Sequence, residues 1–203
     1  FLQNRLIHPD YIRIIRGSGV NISRFNHTKT EPLTTKSFRV LLATRLLWEK
    51  GVAEYIEAAK VLKKKYPHMV FLLAGLPDAG NPASVPHENI QAWAEEGTIV
   101  PLGHMDDMPS LLQNVDLVVL PSYREGMPLT LIESFASGIP VVASPVNGIP
   151  FEMEDNVNGF FVNYGDIHNL KEKILKIVDN PELSKKFSQN NIKKSKNYTW
   201  PII

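Results

Sequence analysis

Apolar residues in this chain fall in short consecutive runs, at 12–15, 40–43, 70–74, 99–102, 117–120, 141–143 and 160–162. A strand with one wet face alternates apolar and polar residues. A strand covered on both faces is apolar throughout, as in parallel sheets. Between the runs the period changes. Val52, Ile56, Ala59 and Leu62 recur at helical spacing, and so do Leu170, Ile174, Ile177 and Val178. Strands and helices in alternation predict a doubly wound α/β fold on a parallel sheet.

Turn residues divide the chain at the same places. Gly51 opens one helix and Pro67 closes it, while the stretch 77–86 is rich in Pro, Gly, Asn and Ser and reads as a surface loop. Asp106-Asp107-Met108-Pro109 reads as a cap followed by a helix start. The lysines of the tail (Lys185, Lys186, Lys193, Lys194 and Lys196) read as a solvated helix face, with a lipid headgroup contact as the weaker alternative. The chain shows no internal repeat.

Composition narrows the function. A chain of 203 residues suits one good-sized α/β domain and is short for two. With 43% hydrophobic and 21% charged residues, disorder along most of it is not expected. The formal charge of +1 lacks the basic excess of a nucleic-acid footprint, so no nucleic-acid partner is expected. The absence of cysteine excludes disulfides, thiolate metal sites and cysteine nucleophiles. No stretch approaches the ~20 apolar residues of a membrane span. The chain opens on Phe1 with no leader-like run, and reads as a fragment.

The stretch from Pro121 to Pro140 carries the most chemical information. It leaves a strand, crosses a short loop and enters a helix expected to start at Pro128 and to end before Gly138. The amides of Gly126, Met127, Leu129 and Thr130 then lie at a helix N-terminus, where they lack intrahelical partners and carry the positive end of the dipole. Gly126 would let backbone approach a ligand, and the site suits phosphate. Glu125 precedes the helix at the C-terminal end of a strand, where such sheets bind ligands. A carboxylate there suits vicinal sugar hydroxyls, and Glu133, one turn into the helix, suits ribose hydroxyls. Taken singly, each glutamate reads more readily as a surface charge.

The spacing of Glu125 and Glu133, with Gly126-Met127-Pro128 after the first and Leu131-Ile132 before the second, resembles the E-x7-E signature of retaining GT-B glycosyltransferases, in the large family-4 group of glycosyl transferases group 1. The resemblance covers nearly the whole chain. Residues 16–25 look like that family's loop leading into its second domain, and 44–51 like its strand–loop–helix with two basic residues, Arg45 and Lys50. The stretches 139–144 and 158–162 match its later strands. Gly103, His104 and Met105 resemble its nucleobase loop, although His104 reads nearly as well as a surface histidine. Arg45 and Lys50 would stabilise a departing diphosphate, or else form surface ion pairs with Glu49 or Glu54. Gly17 and Gly19 do not extend to a dinucleotide fingerprint, since Ile22 stands at the third glycine position. No metal-ligand spacing is present.

The resemblance implies one half of a GT-B fold. Residues 1–15 would be the interdomain connection and first strand, 16–196 the nucleotide-sugar domain, and 197–203 the start of a crossover to an acceptor domain absent from this chain. It implies transfer from a nucleoside diphosphate sugar, UDP favoured, to a saccharide or polyprenyl-linked acceptor with retention and without a cofactor. The setting would be bacterial surface polysaccharide or glycolipid synthesis, in the cytoplasm or at the inner face of the plasma membrane. The rivals are a non-catalytic nucleotide-binding module and a sugar phosphorylase or epimerase of the same fold.

Overall fold

The computed structural model describes residues 8, 19–25 and 37–199. The apolar run at 12–15, most of the 1–15 connection and the start of the 16–25 loop, including Gly17, lie outside the described residues. So do residues 200–203.

Six parallel strands form one sheet. They are β1 (Phe38–Ala43), β2 (Met69–Ala74), β3 (Val100–Gly103), β4 (Leu117–Leu120), β5 (Val141–Ala143) and β6 (Gly159–Phe161). Each coincides with an apolar run or is offset from one by a residue or two. Val40, Leu41, Leu42, Leu117, Val118, Val119, Val141 and Val142 are all fully buried. That is the double coverage which consecutive apolar residues require. Only β3 is wet, with Val100 exposed, and it stands at the sheet edge, where Pro101 removes no interior ladder bond.

The helices are α1 (Val52–Lys65), α2 (His87–Glu95), α3 (Met108–Leu112), α4 (Leu129–Ala136), α5 (Ile149–Glu152), α6 (Ile167–Val178) and α7 (Pro181–Ser195). In α1 the periodic set Val52, Ile56, Ala59 and Leu62 is buried, as are Leu170, Ile174 and Ile177 of α6. Helix α1 packs on α6, and α4 on α7. Asp107 caps α3 by accepting from the Ser110 amide, with Pro109 in the first turn. On α7, Lys185, Lys186 and Lys193 are exposed, Lys194 is half-buried, and Lys196 just beyond is exposed. This is a solvated face.

The strand order, β3-β2-β1-β4-β5-β6, places the site. From β1 the chain winds outward through β2 to β3, then returns to lay β4 on the other side of β1 and winds outward again. Right-handed crossovers, the rule for parallel strands, place helices on both faces of such a sheet. The order reverses between β1 and β4, and the crevice at the C-terminal edge of such a switch point is where open α/β sheets bind ligands.

Candidate functional site

Arg45 and Lys50 follow β1, and residues 121–128 follow β4, so the crevice lies between the two segments singled out in the sequence. The first is held by a 3₁₀ turn, Trp48–Lys50, that passes directly into α1 through Gly51. Gly51 has φ 74°, and a Cβ there would lie 2.2 Å from the Pro121 carbonyl oxygen. Only glycine lets the two segments approach this closely.

That approach brings Lys50 onto the β4–α4 loop. Its Nζ lies 3.0 Å from Glu125 Oε2 and donates to the Arg124 carbonyl oxygen at 2.9 Å. The other carboxylate oxygen, Oε1, accepts from Ser122 Oγ at 2.8 Å. The Lys50 and Glu125 side chains are only 12% and 9% exposed. Removing one member of such a shielded pair strands the other charge, at about 3–5 kcal/mol for a fully buried case. The loop is anchored further by the Tyr123 amide on the Glu49 carbonyl, at 2.9 Å, and by the Tyr123 hydroxyl, which donates to Glu54. The carboxylate beside it raises the Tyr123 hydroxyl pKa.

Arg45 takes no part in this cluster. Its guanidinium pairs with Asp78 at 3.5 Å, with its side chain 68% exposed. The ion-pair partners weighed in the sequence, Glu49 and Glu54, are thus replaced by Asp78 for Arg45 and by Glu125 for Lys50. A pair as open as Arg45–Asp78 contributes about 0–1 kcal/mol, so the guanidinium is readily available to another anion.

Helix α4 begins at Leu129, not Pro128. Pro128 has φ −68° and ψ 121°, extended at ψ, and its carbonyl accepts from the Leu131 amide at 3.0 Å. It is the cap residue. The shift leaves the amides of Leu129 and Thr130 as the first of the helix, and these have no intrahelical acceptor. The Thr130 hydroxyl donates to the Ala43 carbonyl at 3.3 Å, fastening α4 to the end of β1. Met127 is half-buried against the core and Leu129 is exposed. At the far end Ser137 is the cap and Gly138 follows at φ 65°, with the Ile139 amide on the Ser134 carbonyl at 2.8 Å. This is the glycine stop expected from the sequence.

At Gly126 a side chain would meet no atom within 4 Å, so packing does not demand glycine there. The crowded position is Gly148, whose Cβ would stand 2.0 Å from the Gly126 carbonyl oxygen. The β5–α5 loop is thereby laid against the β4–α4 loop.

Glu133 lies half-buried in the second turn of α4. Burial raises its carboxyl pKa, and the nearby Arg24 guanidinium works against that rise. Arg24 comes from the 3₁₀ turn Ile22–Phe25, which packs on α4, and also pairs loosely with Asp107 at 3.9 Å. His104 and Met105 follow β3. The His104 ring pairs with Asp106 at 3.1 Å on the surface, whereas Met105 packs against the core. Two residues given no role in the sequence reading, Arg24 and Ser122, therefore stand at the candidate site. Arg24 could have been found as a cation beside the buried anchor Phe25, and Ser122 as a hydroxyl three residues before Glu125. Among the described residues, no group of three His, Cys, Asp or Glu could hold a metal ion, and no helix is long and apolar enough to cross a membrane.

Known proteins agree with this architecture. The chain is 30% identical over 213 aligned residues to the N,N'-diacetylbacillosaminyl-diphospho-undecaprenol alpha-1,3-N-acetylgalactosaminyltransferase of Campylobacter jejuni, covering 100% of this chain and 54% of that protein. It is 27% identical over 154 residues to the UDP-Gal:alpha-D-GlcNAc-diphosphoundecaprenol alpha-1,3-galactosyltransferase of Escherichia coli, covering 75% of this chain and 39% of that one. The chain thus spans about half or less of the length of these curated relatives. Among solved structures it resembles the C-terminal domain of a glycosyl transferase group 1 family protein, LpcC, from Francisella tularensis. The TM-score is 0.74 at 25% identity, over 89% of this chain and 99% of that one. With residues 23–194 matching the family described as Glycosyl transferases group 1, and its crevice on the Rossmann-like sheet of a GT-B half, the chain belongs to that glycosyltransferase family.

Proposed function

We propose that this chain is the donor half of a retaining glycosyltransferase, binding a nucleoside diphosphate sugar in the crevice between β1 and β4. The observation that carries the reading is the meeting of Lys50 and Glu125 at 3.0 Å beside the amide end of α4. A cation and a row of free amides suit a diphosphate, and a shielded carboxylate suits sugar hydroxyls.

On this reading Lys50 and Arg45, with the backbone of Gly126 to Thr130, bind the diphosphate. Glu125 orients the sugar, Glu133 takes the ribose, and the backbone at His104 and Met105 meets the base. In the reaction the bond from the anomeric carbon to the diphosphate oxygen breaks while the acceptor oxygen bonds to the same face. The acceptor proton passes to the departing phosphate oxygen. Lys50 and Arg45 stabilise the negative charge that develops there, without a metal cofactor.

UDP is the favoured nucleotide, because the Escherichia coli relative is UDP-dependent by its name. The acceptor is a saccharide or a polyprenyl-linked saccharide, since both curated relatives are named for diphospho-undecaprenol acceptors. With such an acceptor the enzyme would work at the cytoplasmic face of a membrane, held peripherally, in cell-surface polysaccharide or glycolipid synthesis.

Calorimetry of the protein against UDP, GDP and their sugars tests the donor site. Binding of UDP and a UDP-sugar is expected. A preference for GDP would overturn only the base, and binding of neither would overturn the donor site.

A further inference from the structure

Glu125 is held from two sides. Lys50 Nζ takes Oε2 at 3.0 Å, and Ser122 Oγ donates to Oε1 at 2.8 Å. Ser122 is 1% exposed, so water does not compete for its hydroxyl. An ammonium has three donors, and Lys50 uses two, on Glu125 and on the Arg124 carbonyl. One is left for a phosphate oxygen. An ionised carboxylate has about four acceptor positions, and Glu125 has two filled, which leaves two for vicinal hydroxyls.

This division depends on Ser122. The terminal torsion of a glutamate is broad, so an unrestrained carboxylate turns easily. Beside an ammonium it would turn both oxygens toward the charge and lose acceptor positions to the ion pair. We propose that Ser122 is a positioning residue for Glu125, keeping Oε1 out of the Lys50 ion pair so that the carboxylate stays open to the donor sugar. The proposal rests on the donor-site reading above and adds to it the group that sets the carboxylate's orientation.

The test compares Ser122→Ala with wild type by calorimetry, using UDP and the UDP-hexose or UDP-N-acetylhexosamine that wild type binds best. The ratio of the two dissociation constants isolates the sugar. Ser122→Ala is expected to weaken UDP-sugar binding about tenfold more than it weakens UDP binding, the effect of one hydrogen bond to a charged group. In a Glu125→Ala background the same substitution is expected to leave the ratio unchanged. Equal weakening of UDP and UDP-sugar would show a merely structural serine and overturn the proposal. An unchanged ratio in the wild-type background, or a changed one without Glu125, would also overturn it. Failure of wild type to bind any nucleotide would instead overturn the donor site itself.

Discussion

Glu133 combines two opposing influences in one side chain. Burial raises its carboxyl pKa, and Arg24 holds the rise back. The folded state therefore keeps this proton to higher pH than the unfolded chain, whose carboxylate titrates near about 4.3. Any stability this group contributes is present at low pH and lost as pH rises through the raised value. Glu133→Gln should then melt above wild type at pH 7, with an advantage that shrinks toward pH 4. A difference constant across that range would refute the pKa argument. The carboxylate spacing at 125 and 133 was legible in the sequence, because both lie in one continuous loop and helix. That Glu133 is half-buried beside Arg24 was not, since the two residues meet only when the 3₁₀ turn packs on α4.

Helix α4 shows what local signals can and cannot settle. Its glycine stop was legible because Gly138 needs only its own backbone at φ 65° to close the helix. Its start was legible to within one residue. Proline fixes φ near −65°, which suits both a first helical residue and a cap, and ψ decides between them. At Pro128 ψ is 121°, outside the helical range, so it is the cap. The role of Gly148 was out of reach, because its neighbour is the Gly126 carbonyl on another loop. Gly148→Ala must push that carbonyl away and shift the amides before α4. Nucleotide affinity is expected to fall about tenfold or more, with the fold retained, as read by calorimetry and circular dichroism. Unaltered affinity would mean that the β5–α5 loop does not set the cradle.

At the scale of the molecule, the crevice exists because β4 lies beside β1. On the donor-half reading, the 203 residues bind nucleotide and transfer little sugar by themselves, since the acceptor side of the reaction is not theirs. Saturating UDP, at a hundredfold above the dissociation constant, should stabilise the chain by about 2.7 kcal/mol, while transfer to a lipid-linked saccharide stays near background. Robust turnover by these residues alone would contradict that division.

The sequence by itself determined the number and type of the described strands, the helices α1, α3, α4 and α6, the lysine-bearing face of α7 and the family signature, but neither α2 nor α5. Apolar periodicity, proline and glycine act over a few residues and are written there directly. Only the tertiary structure decided that Lys50 belongs to Glu125 and Arg45 to Asp78, that Ser122 holds the other carboxylate oxygen, and that Gly148 carries the close approach. Lys50 and the Arg124 carbonyl it holds are 74 residues apart. Such a contact depends on strand order and on which loops the sheet brings to one edge, and no local pattern along the chain encodes either.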